Sequence, residues 1–282
     1  MHTTLVDVAT LATHLHDPNW LIIDCRFDLS KPEAGEAAFR QSHITGAVYA
    51  HLDRDLAAPI TATTGRHPLP DPQDFAMTLG RWGVNATTQV VAYDADNGMY
   101  AARLWWMLRW LGHDAAAVLD GGFKAWLAAG HETSNENVTR TPSQFVAKAD
   151  RSMWVDASEV ARASNDASWR VLDARAPERY RGIVEPIDRV GGHVPGARNH
   201  PFAKNVASDG RFAAPGELRS QFDASRNGVP AERTIAMCGS GVTACHLLLA
   251  LEVAGERGAK LYPGSWSEWI RDPSRPIATN ET

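Results

Sequence analysis

The stretch TIAMCGSGVTACHLLLALEVAG, Thr234 to Gly255, runs from a short apolar strand pattern through a glycine-rich turn into an apolar run of helical length. Cys238 therefore stands at the carboxyl end of a strand and faces the amino end of a helix, the position where open α/β sheets bind ligands. Gly239 and Gly241 let the backbone curl with its N–H groups turned inward, a nest that holds an anion. Thiolate is the reactive form of cysteine, so Cys238 is the candidate nucleophile. That role requires its sulfur to be open to solvent and cradled by those amides. Cys245, inside the apolar helix, has the setting of a small buried hydrophobe, as has Cys25.

Working outward, the same organisation occurs twice. WLIIDCR (Trp20 to Arg26) resembles WRVLDAR (Trp169 to Arg175), and SHITGA (Ser42 to Ala47) resembles GHVPGA (Gly192 to Ala197). VVAYD (Val90 to Asp94) then matches TIAMC (Thr234 to Cys238), and LDGGFKAW (Leu119 to Trp126) matches YPGSWSEW (Tyr262 to Trp269). Short apolar runs (LIID, AVYA, VVAYD, AAVLD) alternate with helical patterns over Phe75–Trp82, Ala101–Leu111 and Phe123–Ala129, which predicts a parallel sheet covered by helices in each half. The Thr-, Ser- and Asn-rich segment from His131 to Ser152 predicts a connector with one short strand around Phe145 and Val146. Residues 1–140 and 153–282 are thus expected as two homologous domains, with 141–152 as the linker. The alignment puts Asp94 opposite Cys238, so the first domain lacks a sulfur nucleophile at that point.

In its 282 residues the chain is 44% hydrophobic and 22% charged, enough apolar material for buried cores and unlike a disordered chain. A net charge of -5 offers no global field for nucleic acid or an anionic membrane, so an anion site must be local. The amino terminus lacks a basic leader with an apolar core, and no stretch approaches the ~20 apolar residues that span a bilayer. A cytoplasmic protein with no nucleic-acid or membrane partner is expected. Three cysteines without paired spacing argue against a disulfide framework and a zinc site, and no metal or organic cofactor is implied.

The CGSGVTA loop, the DAR and GHVPGA segments and the duplicated halves resemble the tandem-domain rhodanese family, closest to its 3-mercaptopyruvate sulfurtransferase branch. The resemblance covers essentially the whole chain and implies two rhodanese-like α/β domains, the first catalytically silent. It also implies that a small anionic donor gives a sulfur atom to Cys238, which passes it from a persulfide to a thiol, thioredoxin or cyanide. Ala244 at the sixth position after Cys238, where a cysteine phosphatase needs an arginine, disfavours phosphatase chemistry. The thiosulfate branch places basic residues inside the loop. Gly239, Ser240 and Gly241 are neutral, so a carboxylate-bearing donor, 3-mercaptopyruvate, is expected. A thiosulfate:cyanide sulfurtransferase and a low-turnover sulfur-carrier or regulatory module are the alternatives.

The resemblance further assigns substrate contacts to Gly239, Gly241, Val242 and Thr243 in the loop and to Arg179, which precedes Tyr180 in PERYRGIVEPIDRVGGH (Pro177 to His193). The family's second carboxylate-binding arginine follows a Glu-Pro pair; Ile187 occupies that place here, leaving Arg189, two residues on, or Arg181 to substitute. Some members of the branch carry a serine–histidine–aspartate relay, which maps onto Ser240, His67 in GRHPLPD and Asp53 in AHLDRD. His43 and His193 recur in both halves, as do Asp24 with Arg26 and Asp173 with Arg175. Their expected roles are turn hydrogen bonds and strand-end ion pairs.

Overall fold

The computed structural model describes residues 1–279; residues 280–282, the end of the expected second domain, lie outside it. The chain forms two compact units. One comprises Met1–Ala58, Leu69–Asp150 and Ala207–Phe212, and the other Pro59–Pro68, Arg151–Val206 and residues 213–279. Two short segments therefore belong to the unit that the repeat pattern does not assign them to.

The first unit is built on a five-stranded parallel sheet in the order Leu5–Val6, Ala116–Leu119, Gln89–Tyr93, Trp20–Asp24, Val48–Tyr49. The second has four parallel strands in the order Lys260–Leu261, Thr234–Met237, Arg170–Asp173, Arg198–Asn199. Central strands in both are buried over almost their whole length, which is why they appear in the sequence as continuous apolar runs. Each second central strand leads into an apolar helix, Ala101–Trp110 in the first unit and Thr243–Val253 in the second. The segment around Phe145 and Val146 is not a strand. Just beyond it the N–H groups of Lys148 and Asp150 donate to the carbonyls of Leu111 and Trp110, so this chain caps a helix end instead of joining a sheet.

Both units close a strand with the same ion pair. Arg26 donates to Asp24 at 2.6 Å and to the Ser42 carbonyl, and Arg175 donates to Asp173 at 2.6 Å and to the Gly192 carbonyl. Each guanidinium also lies over an aromatic ring, Phe123 for Arg26 and Trp266 for Arg175. His43 and His193 bond through Nδ1 to the carbonyls of Phe39 and Tyr180 and stack on those same rings, so both histidines brace turns.

Where the edge strand Arg198–Asn199 ends, His200 is fully buried. It stacks on Phe222 and shares hydrogen bonds with Ser225 and Asn205. Burial lowers its pKa from 6.5 to about 4. Between these values the unfolded chain binds a proton that the folded chain does not. Stability is therefore complete above the unfolded value and falls as the pH drops from 6.5 toward 4, by up to about 3 kcal/mol. Urea unfolding at pH 7 and pH 4.5 should show this loss in the wild type and a smaller one in His200→Gln; equal losses would remove His200 as the cause.

Candidate active site

The strand Thr234–Met237 delivers Cys238 to a tight turn before the helix Thr243–Val253. Gly241 adopts a φ of +79° with its α-carbon packed on the Pro263 carbonyl, so a side chain there would be strained and would collide with backbone. That turn aims the Gly241 N–H at the sulfur, 3.1 Å from Cys238 Sγ. A second turn holds the loop from outside. The Cys238 N–H donates to Ser265 Oγ at 3.0 Å, and the Cys238 and Gly239 carbonyls accept from the N–H groups of Trp266 and Ser267. Ser265 is itself at a φ of +53°, one of two non-glycine residues in the left-handed region among the described residues.

Cys238 is only 2% exposed, so the expected open sulfur is a covered one. Two guanidiniums stand beside the loop: a Cβ built on neighbouring Gly239 would lie 2.9 Å from Arg66 Nη2 and 3.5 Å from Arg179 Nη2. The two guanidiniums are tied together. Asp188 gives one carboxylate oxygen to Arg66 Nη1 and the other to Arg179 Nη2, the latter at 3.1 Å. Glu185 holds Arg179 through Nε and the same Nη2 at 2.8 to 3.0 Å and lies 3.6 Å from Arg175. Burial pushes the Asp188 carboxyl above the usual range against the pull of Arg66 and Arg179. Burial also opposes ionisation of Glu185, yet the Arg179 bond and the N–H groups of Asp188 and Ile187 hold its carboxyl below the usual range.

Ser240 and His67 meet, with Ser240 Oγ 2.7 Å from His67 Nδ1, both buried. The meeting follows from the Pro59–Pro68 segment packing as part of the second unit, where the Arg66 N–H donates to Ser267 Oγ and Arg271 donates to the Thr64 carbonyl. Val242 is buried at the cap position of the helix, and Thr243 is its half-buried first residue. Arg189 is placed elsewhere than expected: its guanidinium donates to the Ile270 carbonyl. Arg181 bonds the Pro177 carbonyl and lines a separate cavity of about 580 Å³ with Arg198 and Lys204. Asp53 belongs to the first unit, exposed on the short helix Leu52–Asp55, its N–H bonded to His51 Nδ1.

Sequence reasoning missed Arg66, Glu185 and Asp188 as site residues. Arg66 adjoins His67, and both carboxylates sit in the Pro177–His193 segment quoted for its arginines, so the signal present was charge density without direction. No group of three or more His, Cys, Asp or Glu that could hold a metal ion occurs among the described residues. No helix among them is long and apolar enough to cross a membrane.

The first unit has the same strand-to-helix turn with another anion in it. Asp94 accepts from the N–H groups of Gly98, Tyr100 and Ala101 at 2.7 to 3.1 Å, all at the start of the helix Ala101–Trp110. Burial raises its pKa while those three bonds lower it.

A parallel-sheet unit that occurs twice in one chain, once with a cysteine loop between strand and helix, defines a tandem-repeat α/β protein. The rhodanese-like domain family matches residues 7–129 and 156–272, and the chain belongs to that family. It is 47% identical over 279 residues to the probable 3-mercaptopyruvate sulfurtransferase of Pseudomonas aeruginosa, covering 98% of both chains. It is 34% identical over 260 residues to the thiosulfate sulfurtransferase of Bos taurus, covering 90% of this chain and 86% of that one. Among solved structures it resembles SseA from Escherichia coli, described as a 3-mercaptopyruvate sulfotransferase, with a TM-score of 0.81 and 32% identity over 94% of this chain and 100% of that one.

Asp94→Ala should strip three buried amides of their acceptor and destabilise the first unit by about 3 kcal/mol, measured by chemical unfolding. A variant as stable as the wild type would show the carboxylate to be dispensable there.

Proposed function

We propose that the chain is a sulfurtransferase that takes sulfane sulfur from 3-mercaptopyruvate onto Cys238 and hands it to a thiol, thioredoxin or cyanide. The observation that carries this is the Gly241 N–H directed at Cys238 Sγ in a loop without a charged residue, beside two guanidiniums. The name of the Pseudomonas aeruginosa relative agrees with it.

In this reading the sulfur, covered at rest, is reached as Arg66 and Arg179 exchange Asp188 for the donor carboxylate, Arg66 taking the part first expected of Arg189. The Cys238 thiolate attacks the donor sulfur, the S–S bond forms, the carbon–sulfur bond breaks, and its electron pair passes into the enolate of pyruvate. Protonation of that enolate completes pyruvate. The relay expected of Ser240, His67 and Asp53, of which the first two stand 2.7 Å apart, moves that proton. Amide N–H groups at the helix start, with Thr243, hold the terminal persulfide anion until the acceptor thiolate or cyanide removes the outer sulfur. Asp94 leaves the corresponding turn of the first unit without a sulfur to load, and that unit is read as catalytically silent.

Arg66 and Arg179 also favour a second reading, with thiosulfate as donor and sulfite as leaving group, in line with the name of the bovine relative.

Cys238→Ser should abolish transfer from either donor while the fold, followed by circular dichroism, persists. Mass spectrometry of the wild type after exposure to donor should find one added sulfur on the Cys238 peptide; retained turnover in the variant defeats the nucleophile assignment. Steady-state rates should favour 3-mercaptopyruvate, and a large preference for thiosulfate would reverse the donor choice. Arg66→Met should raise KM for 3-mercaptopyruvate about tenfold or more, since it removes one docking cation and leaves Asp188 with a single partner.

A further inference from the structure

Resting on the donor-binding reading above, we propose that Asp188 is an internal anion seated in the donor site, and that its negative charge sets the selectivity between monoanionic and dianionic sulfur donors. Its side chain is 5% exposed, and its two oxygens are divided between Arg66 and Arg179. These same guanidiniums stand beside Gly239, next to the sulfur. A carboxylate bridging two arginines is what a docked donor would provide, so the unliganded site is filled by the protein's own copy of the donor's anionic end.

The charge balance gives the selectivity its sign. Arg66, Arg175 and Arg179 form one connected cluster with Asp173, Glu185 and Asp188, three cations against three carboxylates. Such a cluster is neutral and can still bind a monoanion by exchange of partners, as one carboxylate releases a guanidinium edge to another. A dianion brings in more charge than the exchange frees, and it meets Asp188 and Glu185 at close range in a poorly solvated place. Arg66 also has a donor in reserve, since its Nε is buried with no hydrogen-bond partner among the described residues. The neutral loop and the neutral cluster thus act alike. The loop lacks a fixed cation for thiosulfate, and the cations outside the loop are matched by internal carboxylates.

Asp188→Asn keeps the size and one acceptor oxygen while leaving the cluster one positive charge in excess. The ratio of kcat/KM for thiosulfate to kcat/KM for 3-mercaptopyruvate should rise about tenfold or more, an effect of order one nearby charge. The change should reside in KM for thiosulfate, with kcat moving little. Asp188→Ser, which removes the charge and the bridge together, should raise the ratio as well, whereas a purely structural role would lower both donors in parallel. An unchanged or lowered ratio in both variants overturns the proposal. To separate this from failure of the donor reading itself, calorimetric titration of Cys238→Ser, with and without Asp188→Asn, uses thiosulfate and pyruvate as non-reacting probes. Tighter thiosulfate relative to pyruvate on loss of Asp188 supports the inference even if turnover is absent, and equal shifts for both anions reject it. Loss of transfer from both donors in the wild type would reject the donor reading alone.

Discussion

A parallel strand that turns directly into a helix leaves N–H groups at the helix start pointing into the turn, and these need a negative partner. Both units of this protein are arranged around that requirement. In the first, Asp94 supplies a permanent carboxylate with three N–H donors. The second puts a sulfur in its place, with the Gly241 N–H directed at it. A carboxylate satisfies the turn once and for all, whereas a cysteine satisfies it in a form that can react. One backbone solution thus holds a carboxylate in one unit and a sulfur in the other.

The surrounding brace is shared by both copies. Each has its Asp–Arg pair at a strand end, with the guanidinium over an aromatic ring, and each has a buried histidine stacked on the ring whose carbonyl it bonds. In the second unit this brace does more. Arg175 reaches beyond Asp173 to Glu185, and Glu185 orients Arg179. A strand-end pair is extended there into the wall beside the sulfur, so the position of Arg179 is inherited from a structural contact.

What the sequence made legible was local or repeated. Strand periods, the helix patterns, the duplication and the Cys238 loop all depend on near neighbours, and they reappear in the structure with small shifts at element ends. Partnership across the chain was harder to see. Arg66 and Asp188 are 122 residues apart, and nothing in either neighbourhood says that one will grip the other. Arg189 was expected near the loop from its spacing after Glu185 and Pro186, but side-chain direction decides, and it turns to the Ile270 carbonyl. The strand expected around Phe145 and Val146 failed because its apolar side chains are not buried in a sheet: Val146 is exposed, and the backbone just beyond bonds a helix end.

The Pro59–Pro68 segment has a genealogical consequence. It lies among residues of the half that has Asp94 in place of the loop cysteine, yet it packs with the other unit and carries both Arg66 and His67. A descendant that discarded the amino-terminal repeat as redundant would forfeit two groups beside its own cysteine. The two repeats are therefore bound to be inherited together.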